Sequence, residues 1–265
     1  MPPVCLITGA SSGIGAALAE RFAARGDDLV LTARRGDRLA ALAADLRERH
    51  RVRVGVIPED LADPLGAERL LTALAARDLK VTTLVNNAGF GLRGDYTDNP
   101  WHKASAMLQL MVMSPAHLCH ALLPAMQAAG GGTIVTIASL AGLIPGLPGS
   151  TLYSASKAFL IRFSQSLAAE NRSSGVRVLA VCPGYVRTEF HAVLGVEARM
   201  QRLPGLFWMD ASVLAQRVVA ALDGQRAVMV PGAVNSVIAT LSRLLPPATA
   251  EGLSASFSRR YRGRP

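Results

Sequence analysis

VCLITGASSGIGAALAERFAARG, residues 4 to 26, decides the architecture of this chain. VCLIT is an apolar run closed by Thr8, the pattern of a strand buried on both faces of a parallel sheet. GASSGIG follows at once, and AALAERFAARG then reads as a helix stopped by Gly26. A strand, a glycine-rich turn and a helix in direct succession form a cradle for a nucleotide. Gly9 permits the tight turn, Gly13 lets the backbone approach a pyrophosphate, and Gly15 lets the helix pack close on the strand. The spacing is G-x-x-x-G-x-G rather than G-x-G-x-x-G, and a turn that merely needs glycines is the plainer alternative.

The rest of the chain repeats the alternation. DLVLTA (28 to 33) is a second strand, RLAALAADLRERH an amphipathic helix, VRVGVIPED a third strand ending at Asp60-Leu61, and PLGAERLLTALAAR a third helix. VTTLVNNAGFG (81 to 91) is a fourth strand that runs out into Asn86-Asn87-Ala88-Gly89. GGTIVTIA, VRVLAVCPG and AVMVPG supply three more. Strands joined by helical crossovers predict an α/β fold, a doubly wound parallel sheet of about seven strands (Rossmann-like), in a single domain over 1–250. In such folds an acid after the second strand takes the ribose 2′-hydroxyl, whereas arginine accommodates a 2′-phosphate. Here Ala33, Arg34 and Arg35 stand at that point, so the sequence favours NADP over NAD.

A second stretch, SLAGLIPGLPGSTLYSASK (139 to 157), carries three groups able to do chemistry together. Tyr153 and Lys157 are four apart in a segment that reads as a helix, so phenol and ammonium share a face. A nearby ammonium favours the phenolate and draws a tyrosine pKa down from about 10. Ser139 follows a β-rich run and belongs at the carboxyl edge of the sheet. Tyr-x-x-x-Lys alone also occurs in helices with no catalytic role.

Composition narrows the class. Half the residues are hydrophobic and 18% are charged, which predicts a sizeable core. Cys5, Cys119 and Cys182 lie far apart in apolar runs, a pattern of buried thiols in a reducing compartment rather than a disulfide framework or a metal site. The start MPPVCLITGASSG lacks a signal-peptide pattern, so a cytoplasmic protein is expected. The net charge of +9 is spread along the chain apart from Arg34-Arg35 and the end RRYRGR, which argues against a nucleic-acid partner. Residues 251–265 read as a basic, flexible tail. From Ala104 to Ser156 there is no charged side chain. The long apolar helix within this span is expected between the sheet and a second subunit rather than in a membrane, and His117 and His120 as a satisfied interface or core pair rather than metal ligands. Residues 190 to 210, with Leu194, Val196, Met200, Leu203, Leu206 and Phe207, suggest an apolar lid over substrate or an apolar interface.

Together these marks resemble the short-chain dehydrogenase/reductase family in its single-domain form, over about residues 3 to 232. The resemblance assigns Thr8, Gly9, Ser11, Ser12, Gly13, Ile14 and Gly15 to the cofactor loop, with Arg34 and Arg35 beside it. Asp60 and Leu61 fall at the adenine, and Asn87, Ala88 and Gly89 at the fourth-strand motif. Pro183, Gly184, Val186 and Thr188 fall on the nicotinamide side. It implies hydride transfer between NADP(H) and an apolar carbonyl or secondary alcohol. Ser139 would hold the carbonyl oxygen, Tyr153 exchange the proton, and Lys157 bind the nicotinamide ribose while lowering the tyrosine pKa. It further implies a homodimer or homotetramer built on the 104–128 and 152–172 helices. Peripheral membrane contact through the lid, the last helix and the arginine end is a further expectation.

One departure bears on turnover. The family places a catalytic asparagine in the long helix where this chain has Met111, and a thioether is a poor hydrogen-bonding substitute. The alternative to an enzyme is therefore a non-catalytic NADP-binding sensor or assembly partner. Pro115, four residues on, has no N–H to offer the Met111 carbonyl and is expected to open the helix there, with Ser114 helping to hold a water.

Overall fold

The computed structural model describes residues 2–195 and 203–261. Seven strands form one sheet: β1 (Val4–Thr8), β2 (Asp28–Thr32), β3 (Val54–Val56), β4 (Val81–Asn86), β5 (Gly132–Ile137), β6 (Val176–Val181) and β9 (Val228–Met229). A separate ribbon pairs β7 (Tyr185–Arg187) with β8 (Trp208–Asp210). The sheet order is β3-β2-β1-β4-β5-β6-β9, and every pairing is parallel. The chain winds outward from β1 to β3, returns to β4, and winds the other way. The gap between the ends of β1 and β4 is thus the switch point where α/β sheets open a ligand crevice.

Alternation along the strands assigns each side chain to a layer. Cys5, Ile7, Leu29 and Leu31 point to one face and meet α1 (Gly13–Ala24) and α2 (Gly36–His50) through Leu18, Phe22, Leu39 and Leu46. Leu6, Val30 and Leu84 point to the other and meet α3 (Gly66–Ala75) through Leu70 and Leu74. Leu70 and Leu84 are fully buried, and each such side chain stabilises the fold by about 1.5–3 kcal/mol relative to exposure. The third strand is shorter than the sequence suggests because Pro58 has no N–H to donate. The chain still leans on β2 there, through Ile57 N–H to Leu31 O (3.0 Å) and Glu59 N–H to Ala33 O (3.2 Å).

The long apolar helix runs from Trp101 to Ala128 in three parts: α4 (Trp101–Leu108), a π-helical turn over Gln109–Met113, and α5 (Ser114–Ala128). By length and composition it would pass for a membrane span. Yet Leu118, Cys119 and Met126 are packed beneath the sheet, which marks it as a core helix. His117 and His120 are exposed, which excludes the core pair and leaves the interface reading, and no metal-binding group of residues occurs among the described residues. The later helices are α6 (Thr151–Glu170), α7 (Phe190–Val193), α8 (Ala211–Ala221), α9 (Ala233–Leu244) and α10 (Pro247–Tyr261).

Helix α10 corrects the expectation of a loose end, since residues 251 to 261 are helical. Proline at the first helical position is pre-set for a start, the N–H groups of Thr249 and Ala250 both bond to Pro246 O, and Ala250 is buried. Val196 and Met200 of the expected lid, and Arg262 and Arg264 of the basic end, lie outside the described residues.

Gly66 opens α3 so close to the chain before it that an added Cβ would meet Asp60 O at 2.1 Å. Gly66→Ala is therefore expected to lower the urea-unfolding free energy by roughly 1–3 kcal/mol, the usual range for overpacking. Gly146→Ala, where the added carbon would meet nothing within 4 Å, should stay within about 0.5 kcal/mol of the parent.

Candidate active site

The ends of six strands, β1 to β6, deliver residues to one cleft. Thr8, the last residue of β1, donates its hydroxyl to Val85 O at 3.2 Å and accepts from the N–H groups of Asn87 (2.9 Å) and Ala88 (3.0 Å). Asn87 Nδ2 returns the contact, donating to Thr8 O at 2.9 Å and Gly9 O at 3.2 Å. Only glycine fits at 15, because a Cβ there would lie 2.4 Å from Gly9 O and 2.6 Å from Asn87 Nδ2. Thr8 and Gly15 are therefore off the cavity wall. They brace the glycine-rich loop from behind.

The other expected residues all line one cavity of ≈ 1030 Å³. Gly9, Ser11, Ser12, Gly13 and Ile14 enter from the β1 loop, and Asp60 and Leu61 follow β3. Asn87, Ala88 and Gly89 leave β4, and Pro183, Gly184, Val186 and Thr188 leave β6. Gly13 has φ +58 and faces Thr188, whose Cβ would be 3.1 Å from an added methyl. Helix α1 starts at Gly13 with no side-chain cap and no acid in its first turn, so its N-terminal N–H groups and dipole are left for an anion. A dinucleotide pyrophosphate fits this cradle.

Arg35 lies across that loop. Its guanidinium donates to Ser11 Oγ (3.0 and 3.2 Å), to Ser12 Oγ (2.8 Å) and to Glu189 (3.2 Å). Arg38, which the sequence pattern did not single out, donates to the same Glu189 carboxylate at 2.8 and 2.9 Å. Arg34 also lines the cavity and has no polar partner among the described residues.

Ser139, Tyr153 and Lys157 meet in the same cavity. Ser139 ends the β5 segment in extended conformation, and its Oγ accepts from Ala141 N–H at 3.1 Å, which leaves the O–H free to donate outward. Lys157 is only 5% exposed, donates to Ile137 O at 2.8 Å, and holds Nζ 5.6 Å from the centroid of the Tyr153 ring. Burial without a carboxylate brings the Lys157 pKa down to about 8. The neighbouring Cys182 thiol is pushed up to about 12 by its own burial and is therefore neutral. Phe190 rests on Tyr153, ring centroids 5.9 Å apart.

Met111 sits in the π turn, fully buried, with Sδ 3.1 Å from where a Gly89 Cβ would be and Lys157 Nζ 3.8 Å from the same point. The helix is irregular at the expected place: Ser114 N–H bonds to Gln109 O, five residues back. Ser114 is not available to a water at Met111, since its hydroxyl donates to Leu61 O at 2.7 Å.

Glu189 and Arg38 were missed because they lie outside every motif, and Phe190 opens the expected lid without any local sign that its ring meets Tyr153. The far wall was missed as well. Ile238, Leu241 and Leu245 of α9 with Ala250 and Leu253 of α10 line the cavity, and the only available signal was the amphipathic pattern of α9.

A nucleotide cradle at a switch point beside a serine, tyrosine and lysine defines a dinucleotide-dependent oxidoreductase site. The chain belongs to the short-chain dehydrogenase/reductase family: the short chain dehydrogenase family model matches residues 3–197. Sulfoacetaldehyde reductase of Chromohalobacter salexigens is 42% identical over 198 residues, 73% of this chain and 76% of that protein. A short-chain dehydrogenase from Sphingobium yanoikuyae, solved in complex with NADPH, superposes with TM-score 0.82 at 36% identity, covering 95% of this chain and 94% of that one. The bulky-bulky ketone specific alcohol dehydrogenase from Comamonas testosteroni gives 0.78 at 34% identity, with 95% and 93% covered.

Lys157 has a folded pKa below its unfolded value, so between the two the unfolded chain holds more protons and stability rises with pH. The cost of burying its charge is full below about pH 8 and fades toward 10.5. The stability difference between Lys157→Met and the parent should therefore favour the variant more at pH 7 than at pH 10, by roughly 2–3 kcal/mol in urea melts. A difference that stays flat across that range would show that the lysine is not desolvated.

Proposed function

We propose that this protein is an NADP(H)-dependent oxidoreductase for neutral, apolar carbonyls and the matching secondary alcohols. The observation that carries the substrate class is the charge of the wall. Among the described residues its only cations are Arg34, Arg35 and Lys157, on the nucleotide side or beside Tyr153. The far end is Leu140, Ile144, Leu147, Leu194, Phe207 and Ile238. A sulfonate such as the C. salexigens relative's name implies would be desolvated there with no cation to meet it. A bulky ketone, the substrate named for the Comamonas neighbour, suits the same wall.

The preference for NADP(H) rests on Arg35, seated over the loop serines, with Arg34 and Arg38 beside it; the Sphingobium neighbour with its NADPH supports it. NADP(H), when bound, supplies or accepts the hydride. The chain does the rest. Ser139 turns its O–H to the substrate oxygen, while one lone pair of its Oγ accepts from Ala141 N–H and orients the hydroxyl. Tyr153 passes the proton to that oxygen or takes it away. Lys157 holds a positive charge near the phenol ring up to about pH 8 and keeps its ammonium oriented on Ile137 O. The apolar wall excludes water from the reacting centre. At Met111 the backbone takes over from the missing asparagine: Pro115 has no N–H for the Met111 carbonyl, which is left to hold a water on the route to Lys157.

The exposed stripe of Met113 in the π turn and His117 and His120 on α5, with exposed Phe159 on α6, fits a second copy, so we assign a homodimer or homotetramer. Sedimentation velocity finding monomer alone would overturn the assembly.

Tyr153→Phe should abolish NADPH-dependent reduction of bulky ketones, with kcat down by at least about 100-fold, while the NADPH dissociation constant stays within about twofold. Retained turnover would remove Tyr153 from the proton path. A parent protein that binds NADPH but reduces none of a panel of ketones would favour the non-catalytic binder. Pro115→Ala restores a helical donor to Met111 and is expected to lower kcat several-fold with NADPH affinity kept; an unchanged kcat would leave the π turn a packing feature only.

A further inference from the structure

The last two helices meet at a corner of two residues. Helix α9 ends at Leu244 and helix α10 begins at Pro247. Leu245 between them is extended (φ −71, ψ 146), the backbone that a following proline favours. Its N–H bonds to Leu241 O at 2.9 Å, and those of Thr249 and Ala250 bond to Pro246 O, so both sides of the corner are pinned. One face of each helix borders the active-site cavity. Along α9 and into the corner that face is Val234, Ile238, Leu241 and Leu245, a repeat of three to four residues, and on α10 it is Ala250 and Leu253.

The stripe starts beside the reacting centre. Asn235, in the first turn of α9, sets its amide oxygen against Gly184, where no side chain would fit. From Asn235 to Leu245 the helix advances about 15 Å, at about 1.5 Å per residue. The cavity therefore continues from the expected nicotinamide side to the corner as an apolar trough. Among the described residues, no charged side chain of α9 or α10 lines it. Asn235 Nδ2 donates to Pro231 O at 2.7 Å and Ser242 Oγ to Ala239 O at 3.0 Å, so these polar groups are engaged within the wall. Leu241 and Leu253 are 50% and 59% exposed, apolar surface that the fold itself leaves uncovered.

We propose that this trough seats a long unbranched alkyl chain, so that the substrate is a ketone or secondary alcohol with one long aliphatic arm. The inference rests on the reading that the site works on apolar carbonyls, and it names the arm that the reading leaves open.

Shape selects a chain over a ring body. Two helices joined by two residues converge, so the trough narrows toward Leu245. A fused-ring substrate stops where a slender chain continues. Chemistry selects hydrocarbon over a polyol or an acid, because a hydroxyl or carboxylate laid along Leu241 and Leu245 would lose its water with no donor to replace it. Each methylene laid against these leucines removes apolar surface of both partners from water. Full burial of one CH₂ is worth about 0.8 kcal/mol, or about fourfold in affinity.

The experiment measures kcat/KM with NADPH for methyl ketones from 2-pentanone to 2-tridecanone, using the parent, Leu241→Asp, Ala250→Phe and Leu244→Asp. In the parent, kcat/KM should climb about two- to fourfold per methylene and level off once the chain reaches the corner. 2-Decanone should outrun 2-decalone, a fused-ring ketone of the same carbon number. Leu241→Asp places a carboxylate in the trough at a half-exposed position. It should cut the ratio of kcat/KM for 2-undecanone over 2-pentanone at least about tenfold, with the NADPH dissociation constant within about twofold of the parent. Ala250→Phe fills the corner and should make the series level off at a shorter chain. Leu244 is on the same helix but 75% exposed and outside the cavity, so Leu244→Asp should keep the parent's ratio. A parent that reduces short methyl ketones with no gain from length, faster reduction of 2-decalone, or equal loss in Leu241→Asp and Leu244→Asp overturns the chain site alone. A parent that reduces no ketone of the series overturns the reading of the site as one for apolar carbonyls, and the chain site with it.

Discussion

The clasp between Thr8 and Asn87 is the contact on which the rest depends. A parallel sheet that winds both ways must leave two strand ends apart, and β1 and β4 are those ends. Thr8 and Asn87 exchange hydrogen bonds across that opening, and Gly15 brings helix α1 against the same atoms. The loop of Gly9 to Gly13 and the strip Asn87 to Gly91 are thereby held at one spacing. Both lips of the cleft are braced by these hydrogen bonds, which lowers the backbone ordering that binding would cost. The cofactor loop is thus positioned by one residue that lines the cavity, Asn87, and two that do not, Thr8 and Gly15.

Charge within the cleft is arranged by subtraction as much as by placement. Over more than fifty residues, from Ala104 to Ser156, the chain carries no charged side chain, and this span supplies much of the wall around the reacting groups. Lys157 stands at its border, buried against Ile137 O and beside a neutral thiol. With no carboxylate to stabilise it, the ammonium is held near its titration point, where small changes in surroundings alter its charge. The arginines at the other end face the opposite condition, exposed and paired, with Glu189 shared between them.

Much of this was legible from residue order. The continuous apolar strands, the glycines at 9, 13 and 15, and the four-residue step from Tyr153 to Lys157 are local patterns, and local geometry places their side chains without knowledge of the whole. Where the structure differed, a non-local contact was responsible. Residues 251 to 261 carry a weak helical pattern and a basic end, which reads as loose chain; the helix is seen once Ala250 finds the core and the neighbouring turn finds the cavity. Ser114 looked available to a water until Leu61, 53 residues earlier, took its hydroxyl. Thr8 and Gly15 belong to the motif by sequence but serve it from behind.

The sequence by itself determined the parallel doubly wound sheet, the glycine-rich loop after its first strand and the spacing that sets Tyr153 beside Lys157, because each follows from periodicities of two and 3.6 and from spacings within one turn or loop. Only the tertiary structure decided what surrounds them. Arg38 reaches Glu189 across 151 positions, Phe190 comes to rest on Tyr153, and the last two helices close the apolar end of the cavity. These contacts join residues that no local rule relates. They are set by where the sheet leaves its loops, and the chain must fold before they exist.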